Sequence, residues 1–430
     1  MNKTSKRELI INFIEKYILY FVFGFAILAL LPYVSVFNAL ETNNNAGIIY
    51  RGIVTGLLGI LFLIGLVCYR KLPNKLVIGC SLLYFITQAI TIVASPLIKS
   101  IEVPVLQQVV GYGLIFTNII SVFLILYFEN IYKPNFEVLT IIFYFLLGIG
   151  IASCLYTYIF QYKEIGSVLS DQYGWNYQVT SVYSTKGIYG FILLIVSIYT
   201  VIHALNTKKY WYYAFVVFFL FNSFICRAKT TIVCLFIILI AVLIHHLIHS
   251  WKDHKKQWTI ALSVGAGLIL IFSLLTFVPG MQFGPFKGLN HFMTQTIFND
   301  GITVTKDRIE KVSRIFAAVD YPLGIMFGCG ERITNYIIAP AGAEIRGDNM
   351  YAANYATGGI IKFILYLAIA AYAIYKVTKR KNEEFKFFSI LFIAIILLTG
   401  LCDDNSIIGI NISFLFTAPF MYSSVFKTRD

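Results

Sequence analysis

The stretch TTIVCLFIILIAVLIHHLI, residues 230–248, contains no Asp, Glu, Lys or Arg. An α-helix rises 1.5 Å per residue, so about twenty such residues cross the ~30 Å hydrocarbon core of a bilayer. A helix on the surface of a soluble domain instead carries polar residues along one face. The stretch therefore predicts a membrane-spanning helix.

Further apolar runs of the same character occur along the whole chain. They are longer than the strands of a membrane β-barrel, which hold ~10 residues of alternating polarity. We therefore expect an all-α, polytopic membrane helix bundle that forms a single membrane domain over residues 1–430. The predicted spans, about twelve in number, are residues 17–36, 52–69, 76–94, 109–128, 136–160, 187–205, 210–226, 230–248, 258–278, 355–375, 387–403 and 406–425. The first run lacks a small-residue cleavage site, so we expect a span there and not a cleaved signal peptide.

The composition excludes several classes of protein. Of the 430 residues, 58% are apolar and 13% are charged, and the mean hydropathy is +0.77. Soluble domains hold about 25% charged residues. A soluble enzyme, a disordered chain and a nucleic-acid-binding domain are therefore excluded as descriptions of the whole chain, although its net charge is +13.

Lysine and arginine indicate the orientation, because cytoplasmic loops carry an excess of both residues. With the N-terminus in the cytoplasm, twenty of the 34 Lys and Arg residues fall in cytoplasmic segments and six in short outer loops. We therefore expect both termini in the cytoplasm. The outer face then carries the loop 161–186 and a large extracytoplasmic loop, 279–353, between spans nine and ten. Loops of such length are uncommon unless they have a function.

The large loop contains TKDRIEKVSRIFAAVDYP, residues 305–322, which predicts an amphipathic helix near 305–320. On a helical wheel Val312, Phe316 and Val319 share one face, and Arg314 lies opposite. Arg308 falls at the edge of the apolar face. We expect this helix to lie along the membrane surface or to cap a cavity.

The segment CRAKTTIV, residues 226–233, places two cations where span seven meets span eight. Cations at such a depth are costly unless they are paired or face a polar cavity. Arg227 and Lys229 suit a clamp for phosphate oxygens, since arginine offers a planar fork and lysine a point charge. The alternative is that both side chains extend to lipid headgroups.

Polar residues precede span ten in RGDNMYAANYATGGIIKF, residues 346–363. Asp348 could accept a proton from a sugar hydroxyl as a general base, or it could cap the helix that follows. In the loop 161–186, Trp175 and Tyr177 suit stacking on sugar rings, or membership of an aromatic belt at the membrane surface.

We expect no metal site and no cofactor. The seven cysteines are scattered and form no CxxC pair. His245 and His249 are spaced as a metal pair would be, but we interpret them as a helix end at the headgroups.

Four segments together resemble the O-antigen polymerase and ligase superfamily, which comprises membrane glycosyltransferases of the GT-C class. The segments are SVYSTKGIYG (181–190), CRAKTTIV (226–233), DRIEKVSRIFAAVDYPLGIMFGCG (307–330) and DNMYAANYATGG (348–359). The resemblance places Arg227 and Arg308 on arginines of the family's motifs. Asp348 stands where ligases of the family carry a histidine, which favours a polymerase.

The resemblance implies a metal-independent polysaccharide polymerase of O-antigen, capsule or exopolysaccharide in a bacterial cytoplasmic (inner) membrane. Its substrate would be an undecaprenyl-diphosphate-linked glycan, and its partners would include a chain-length regulator and a flippase. We assign Asp348, Arg227 and Arg308 to catalysis. The residues assigned to substrate binding are Lys229, Lys186, Tyr189, Arg314, Arg332, Arg346, Asn349, Tyr351, Trp175 and Tyr177.

Two other functions remain open. A ligase of the same superfamily would transfer the glycan to a different acceptor. A flippase or secondary transporter of lipid-linked oligosaccharide would instead place polar residues near mid-membrane, between repeated halves. Here no halves repeat and the polar features lie on one side, which favours an enzyme at the membrane surface.

Overall fold

A computed structural model gives the architecture. It describes residues 136–169, 179–183, 186–278, 322–328, 350–379 and 383–402, with scattered residues between 6 and 90, at 290 and between 309 and 320. The described residues are almost entirely helical and include no β-strand. The all-α prediction is thus confirmed for them. Four of the predicted spans, 17–36, 52–69, 76–94 and 109–128, and the last one, 406–425, lie wholly or mostly outside the described residues.

Eight helices have defined bounds in this part of the chain. They are α1 (Phe136–Phe160), α2 (Tyr162–Leu169), α3 (Lys186–Thr207), α4 (Tyr213–Ile225), α5 (Lys229–Phe277), α6 (Pro322–Phe327), α7 (Met350–Thr378) and α8 (Glu383–Cys402). A 3-10 turn, Tyr210–Tyr212, precedes α4.

Three stretches of the described chain are long and apolar enough to cross a bilayer. They are Phe143–Phe160, Lys186–Thr207 and Lys229–Ile260, which coincide with predicted spans at 136–160, 187–205 and 230–248. This supports the assignment to the membrane class. The predicted spans at 355–375 and 387–403 are helical as parts of α7 and α8.

The chain forms two compact units. Unit 1 comprises residues 1–146, 205–207 and 308–430, and unit 2 comprises residues 147–204 and 208–307. In unit 2 the central helix is α3, because 94% of its apolar span is buried. Helices α1 and α4 meet α3 closely at Gly150, where an added Cβ would lie 3.0 Å from Phe219 and 3.1 Å from Val196.

Several buried hydroxyl groups of unit 2 bond to their own helices. Ser197 and Thr200 of α3 donate to the carbonyls of Leu193 and Val196, and Ser223 of α4 donates to that of Phe219. Such bonds to the carbonyl four residues earlier satisfy a hydroxyl where water is absent. These residues therefore fit an apolar environment.

The predicted spans at 230–248 and 258–278 correspond to two helical segments of α5. The segments meet at His254, where the backbone angles are not helical (φ −126°, ψ 28°). The joining segment, residues 249–257, contains no Gly or Pro to end a helix. The boundary between the predicted spans is thus a bend and not a loop.

In unit 1, α7 contacts both α6 and α8. It is broken at Gly359 (φ 64°, ψ −166°), where the α6 backbone crosses so closely that a Cβ would collide with the Met326 carbonyl oxygen. Only glycine adopts these angles next to such a contact without strain. The described positions between 309 and 317 are helical, and the helix near 305–320 stays a prediction. The remainder of the loop 279–353 lies mostly outside the described residues.

Candidate functional site

The turn between α4 and α5 presents Arg227. Helix α4 ends in a Schellman motif, in which the Ala228 N–H donates to Ser223 O and the Arg227 N–H to Phe224 O, both at 3.1 Å. Arg227 holds the left-handed position of this motif at φ 55°, a position that usually belongs to glycine. The chain therefore keeps an arginine where its backbone is strained. Non-glycine residues in such conformations cluster at functional sites.

Helix α3 packs directly against this turn. A Cβ added at Gly190 would lie 2.5 Å from Ala228 Cβ and 2.6 Å from Thr231 Oγ1. Ala228 follows Arg227 in the chain, and Gly190 lies about one helical turn after Lys186. The segments 181–190 and 226–233, both singled out from the sequence, thus meet at one end of unit 2.

Lys186 belongs to the same end of the unit. Its ammonium acts electrostatically on the thiol of Cys226, the residue immediately before Arg227. Lys186 is half-buried, Arg227 is half-buried and Lys229 is exposed. Three of the predicted site cations are therefore found around one helix contact.

The segment before α3 is anchored to α1. Gln161 accepts a hydrogen bond from the Ser181 N–H (2.9 Å) and donates to Ser181 O (3.3 Å). Ser181 Oγ donates to Ser153 O at 2.6 Å. Ser181 is held at φ 58°. These bonds fix the chain that leads into Lys186.

Two buried tyrosines, Tyr183 in this segment and Tyr189 in α3, contact α1. Tyr183 Oη is 3.0 Å from Ser153 Oγ, and burial raises the pKa of the Tyr183 phenol above its ordinary value of 10.0. The Tyr189 hydroxyl contacts Thr157 Oγ1 at 3.4 Å and Cys154 Sγ at 3.5 Å. Tyr189 was predicted to bind substrate, but it is fully buried. Its contacts in the structure are with α1.

Of the predicted site residues that the structure describes, two lie in unit 1. Arg314 forms an ion pair with Glu310, one helical turn earlier, and both side chains are exposed. Tyr351 donates a hydrogen bond to Leu397 O at 2.6 Å, which ties α7 to α8. Each residue thus has a protein partner within its own unit.

The other predicted site residues lie outside the described residues, and their positions stay predictions. They are the catalytic candidates Asp348 and Arg308 and the binding candidates Arg332, Arg346, Asn349, Trp175 and Tyr177.

The described part of the chain contains no group of three His, Cys, Asp or Glu side chains placed to hold a metal ion. The rings of His245 and His249 lie 4.2 Å apart, and His249 Nδ1 is 2.9 Å from the His245 carbonyl oxygen. Cys154, Cys226 and Cys234 are buried free thiols.

Comparisons with known proteins add no relative. No protein-family model, no curated protein and no solved structure matches the chain.

Sequence reasoning missed Gln161 as a positioning residue. Its partner Ser181 lies twenty residues further along the chain, and no local pattern connects the two. Gly190 lies in a quoted segment, but its close contact with Thr231 depends on the packing of two helices. The signal in the sequence for this contact was a glycine near the start of an apolar run, since small residues allow helices to approach closely.

Proposed function

We propose that the protein is a membrane glycosyltransferase that polymerises oligosaccharide repeat units carried on undecaprenyl diphosphate. The observation that carries the proposal is the packing of Gly190 against Ala228 and Thr231. It gathers Lys186, Arg227 and Lys229 at one end of a unit whose helices suit a bilayer. Cations at this position suit a diphosphate that is attached to a lipid, because the lipid tail stays in the membrane while the phosphates reach the cations.

The reaction needs charge stabilisation at the leaving group. The hydroxyl oxygen of an acceptor sugar forms a bond to the anomeric carbon of the donor, and the bond from that carbon to the carrier phosphate breaks. The electron pair leaves with the undecaprenyl diphosphate. Arg227 and Lys186 would stabilise the developing negative charge, as fixed donors do in other group transfers.

The acceptor proton needs a base. In this proposal Asp348 takes it, and Arg308 is a further cation that stabilises the leaving group. Lys229 also contacts the diphosphate, while Trp175 and Tyr177 hold sugar. Fixed cations then take the place of a metal ion, so the reaction proceeds in EDTA. We place it at the outer face of a bacterial cytoplasmic membrane, on the distribution of Lys and Arg between predicted loops.

The test uses purified protein in proteoliposomes with a lipid-linked repeat unit as sole substrate. The proposal predicts a ladder of polymers, and the same ladder in EDTA. A ligase would leave the repeat unit unchanged until a different acceptor is added, and a transporter would move it across the bilayer without joining units. Either result would overturn the polymerase assignment, and loss of the ladder in EDTA with recovery in Mg²⁺ would overturn the metal-free mechanism.

A further inference from the structure

A second group of cations lies at the opposite end of α3 from Lys186. We name it the lysine-aromatic cluster: Lys208, Lys209, Tyr210, Trp211 and His246. The Tyr213 hydroxyl is 3.2 Å from His246 Nε2, and the Tyr210 ring lies edge-on to the His246 ring at 4.7 Å. These contacts hold the turn between α3 and α4 against α5, within unit 2.

The turn presents its lysines at a cost in backbone energy. Lys208 adopts φ 56° immediately after α3 ends, a conformation that favours glycine. Lys208 and Lys209 are both exposed, and Tyr210 and Trp211 next to them are 49% and 59% exposed. Two cations and two large aromatic rings therefore project together from one turn.

The bend in α5 adds further cations at this level. Trp258 Nε1–H donates to Ser250 Oγ at 2.7 Å. In a straight helix these residues are about 12 Å apart along the axis, so the bond depends on the bend at His254. Lys252, Lys255 and Lys256 are exposed within this bent segment.

The position of the cluster along the helix fits a headgroup layer. Helix α5 begins at Lys229. About twenty helical residues cross ~30 Å of hydrocarbon, so a hydrocarbon layer that starts at Lys229 ends near residue 249. Three of the chain's four tryptophans, Trp211, Trp251 and Trp258, lie in this turn and bent segment. Tryptophan is enriched where the hydrocarbon meets the headgroups.

We propose that the lysine-aromatic cluster binds the headgroup of an anionic phospholipid. The ammonium groups of Lys208 and Lys209 contact the lipid phosphate, and the Trp211 and Tyr210 rings lie beside the glycerol and the start of the acyl chains. Basic pockets between helices at a membrane surface bind anionic lipids in this way. The exposed rings favour a lipid over free phosphate, because a small ion would leave them uncovered.

The test is native mass spectrometry of the full-length protein in detergent, with phosphatidylglycerol or phosphatidylcholine added at equal concentration. The wild type is expected to retain more phosphatidylglycerol. Lys208→Gln with Lys209→Gln should lower the retained phosphatidylglycerol about tenfold, and excess inorganic phosphate should not displace it. The matched control, Lys379→Gln with Lys386→Gln, removes the same charge from α7 and α8 and should retain phosphatidylglycerol as the wild type does.

Lys208→Gly is a second variant that guards against misfolding. Glycine adopts the positive φ without strain, so this variant keeps the turn while removing one ammonium, and its phosphatidylglycerol retention should also fall. Unchanged retention in both cluster variants, or equal retention of the two lipids by the wild type, would overturn the proposal. Displacement by inorganic phosphate would show a free-anion site instead.

Discussion

Gly190 of α3 lies so close to Thr231 of α5 that a Cβ at Gly190 would be 2.6 Å from Thr231 Oγ1. Ala228 Cβ closes the other side at 2.5 Å. Glycine is required here for close approach, as at other helix contacts in membranes. The contact sets where Lys186 lies relative to Arg227.

Replacing Gly190 by Ala should separate α3 from the α4–α5 turn. Overpacking of this kind costs about 1–3 kcal/mol, so we expect a lower midpoint of thermal unfolding and loss of polymer formation. Ala228→Gly in the same chain should restore part of both. Gly148→Ala is the matched control: no atom lies within 4 Å of its added Cβ, and it should leave the midpoint unchanged or raise it. Equal effects of the two glycine variants would contradict the packing account.

Replacing Arg227 by Gly separates function from folding. Glycine adopts the left-handed conformation without the strain that costs another residue about 1–2 kcal/mol. The greater conformational entropy of glycine in the unfolded state offsets part of this gain in stability. We therefore expect unfolding at the same temperature as the wild type or slightly higher. Polymer formation should fall about 10²–10³-fold, the usual result of removing one donor to a developing negative charge.

The control for Arg227→Gly is Lys163→Gln, which removes an exposed cation from α2 of the same unit. It should form polymer at the rate of the wild type. Full activity of Arg227→Gly would exclude the arginine from the chemistry.

Tyr183 predicts a specific dependence of stability on pH. Its folded-state pKa is raised by burial, so the phenol holds its proton in the folded state above pH 10 while the unfolded state releases it. The retained phenol proton adds to the free energy of unfolding. This addition is fully present below pH 10 and is lost as pH rises through the folded-state pKa, at up to about 1.4 kcal/mol per pH unit. Thermal unfolding of Tyr183→Phe should therefore decline less steeply above pH 10 than that of the wild type. Tyr162, which is 60% exposed, provides the control, because Tyr162→Phe should keep the wild-type slope.

Gly359 should tolerate no side chain. Its φ of 64° and the adjacent Met326 carbonyl oxygen both exclude a Cβ, so Gly359→Ala must move α6 or straighten α7. We expect little folded protein in detergent by size-exclusion chromatography. Gly265→Ala in α5 should yield the wild-type amount, since no atom lies within 4 Å of its added Cβ. A normal yield of Gly359→Ala would show that the break in α7 does not depend on this residue.

The hydropathy of the chain was enough to predict helices at α1, α3, α7 and α8, because twenty apolar residues in a row have few alternatives. It could not predict that the two helical segments of α5 meet at a kink with no loop between them. The charged segment after His249 is polar like a loop, yet it holds residues with good helix propensity and no terminator. Local polarity and local propensity gave opposite indications, and the two helical segments meet at a bend at His254.

The candidate site was predictable in part. Arg227 and Lys229 stood out because cations are costly between two apolar runs. The positive φ of Arg227 and the role of Gln161 could not be predicted, because both depend on how a turn and a distant segment close on neighbouring helices. The sequence likewise did not predict that the Tyr189 hydroxyl is buried against α1.

Binding of the carrier lipid tests the central claim most directly. Native mass spectrometry of the full-length protein should detect bound undecaprenyl diphosphate and no bound undecaprenol, which lacks the phosphates. The Arg227→Gly variant should retain at least about tenfold less of the diphosphate, and Lys163→Gln should retain the wild-type amount. Equal retention of the diphosphate by Arg227→Gly and the wild type would contradict the account.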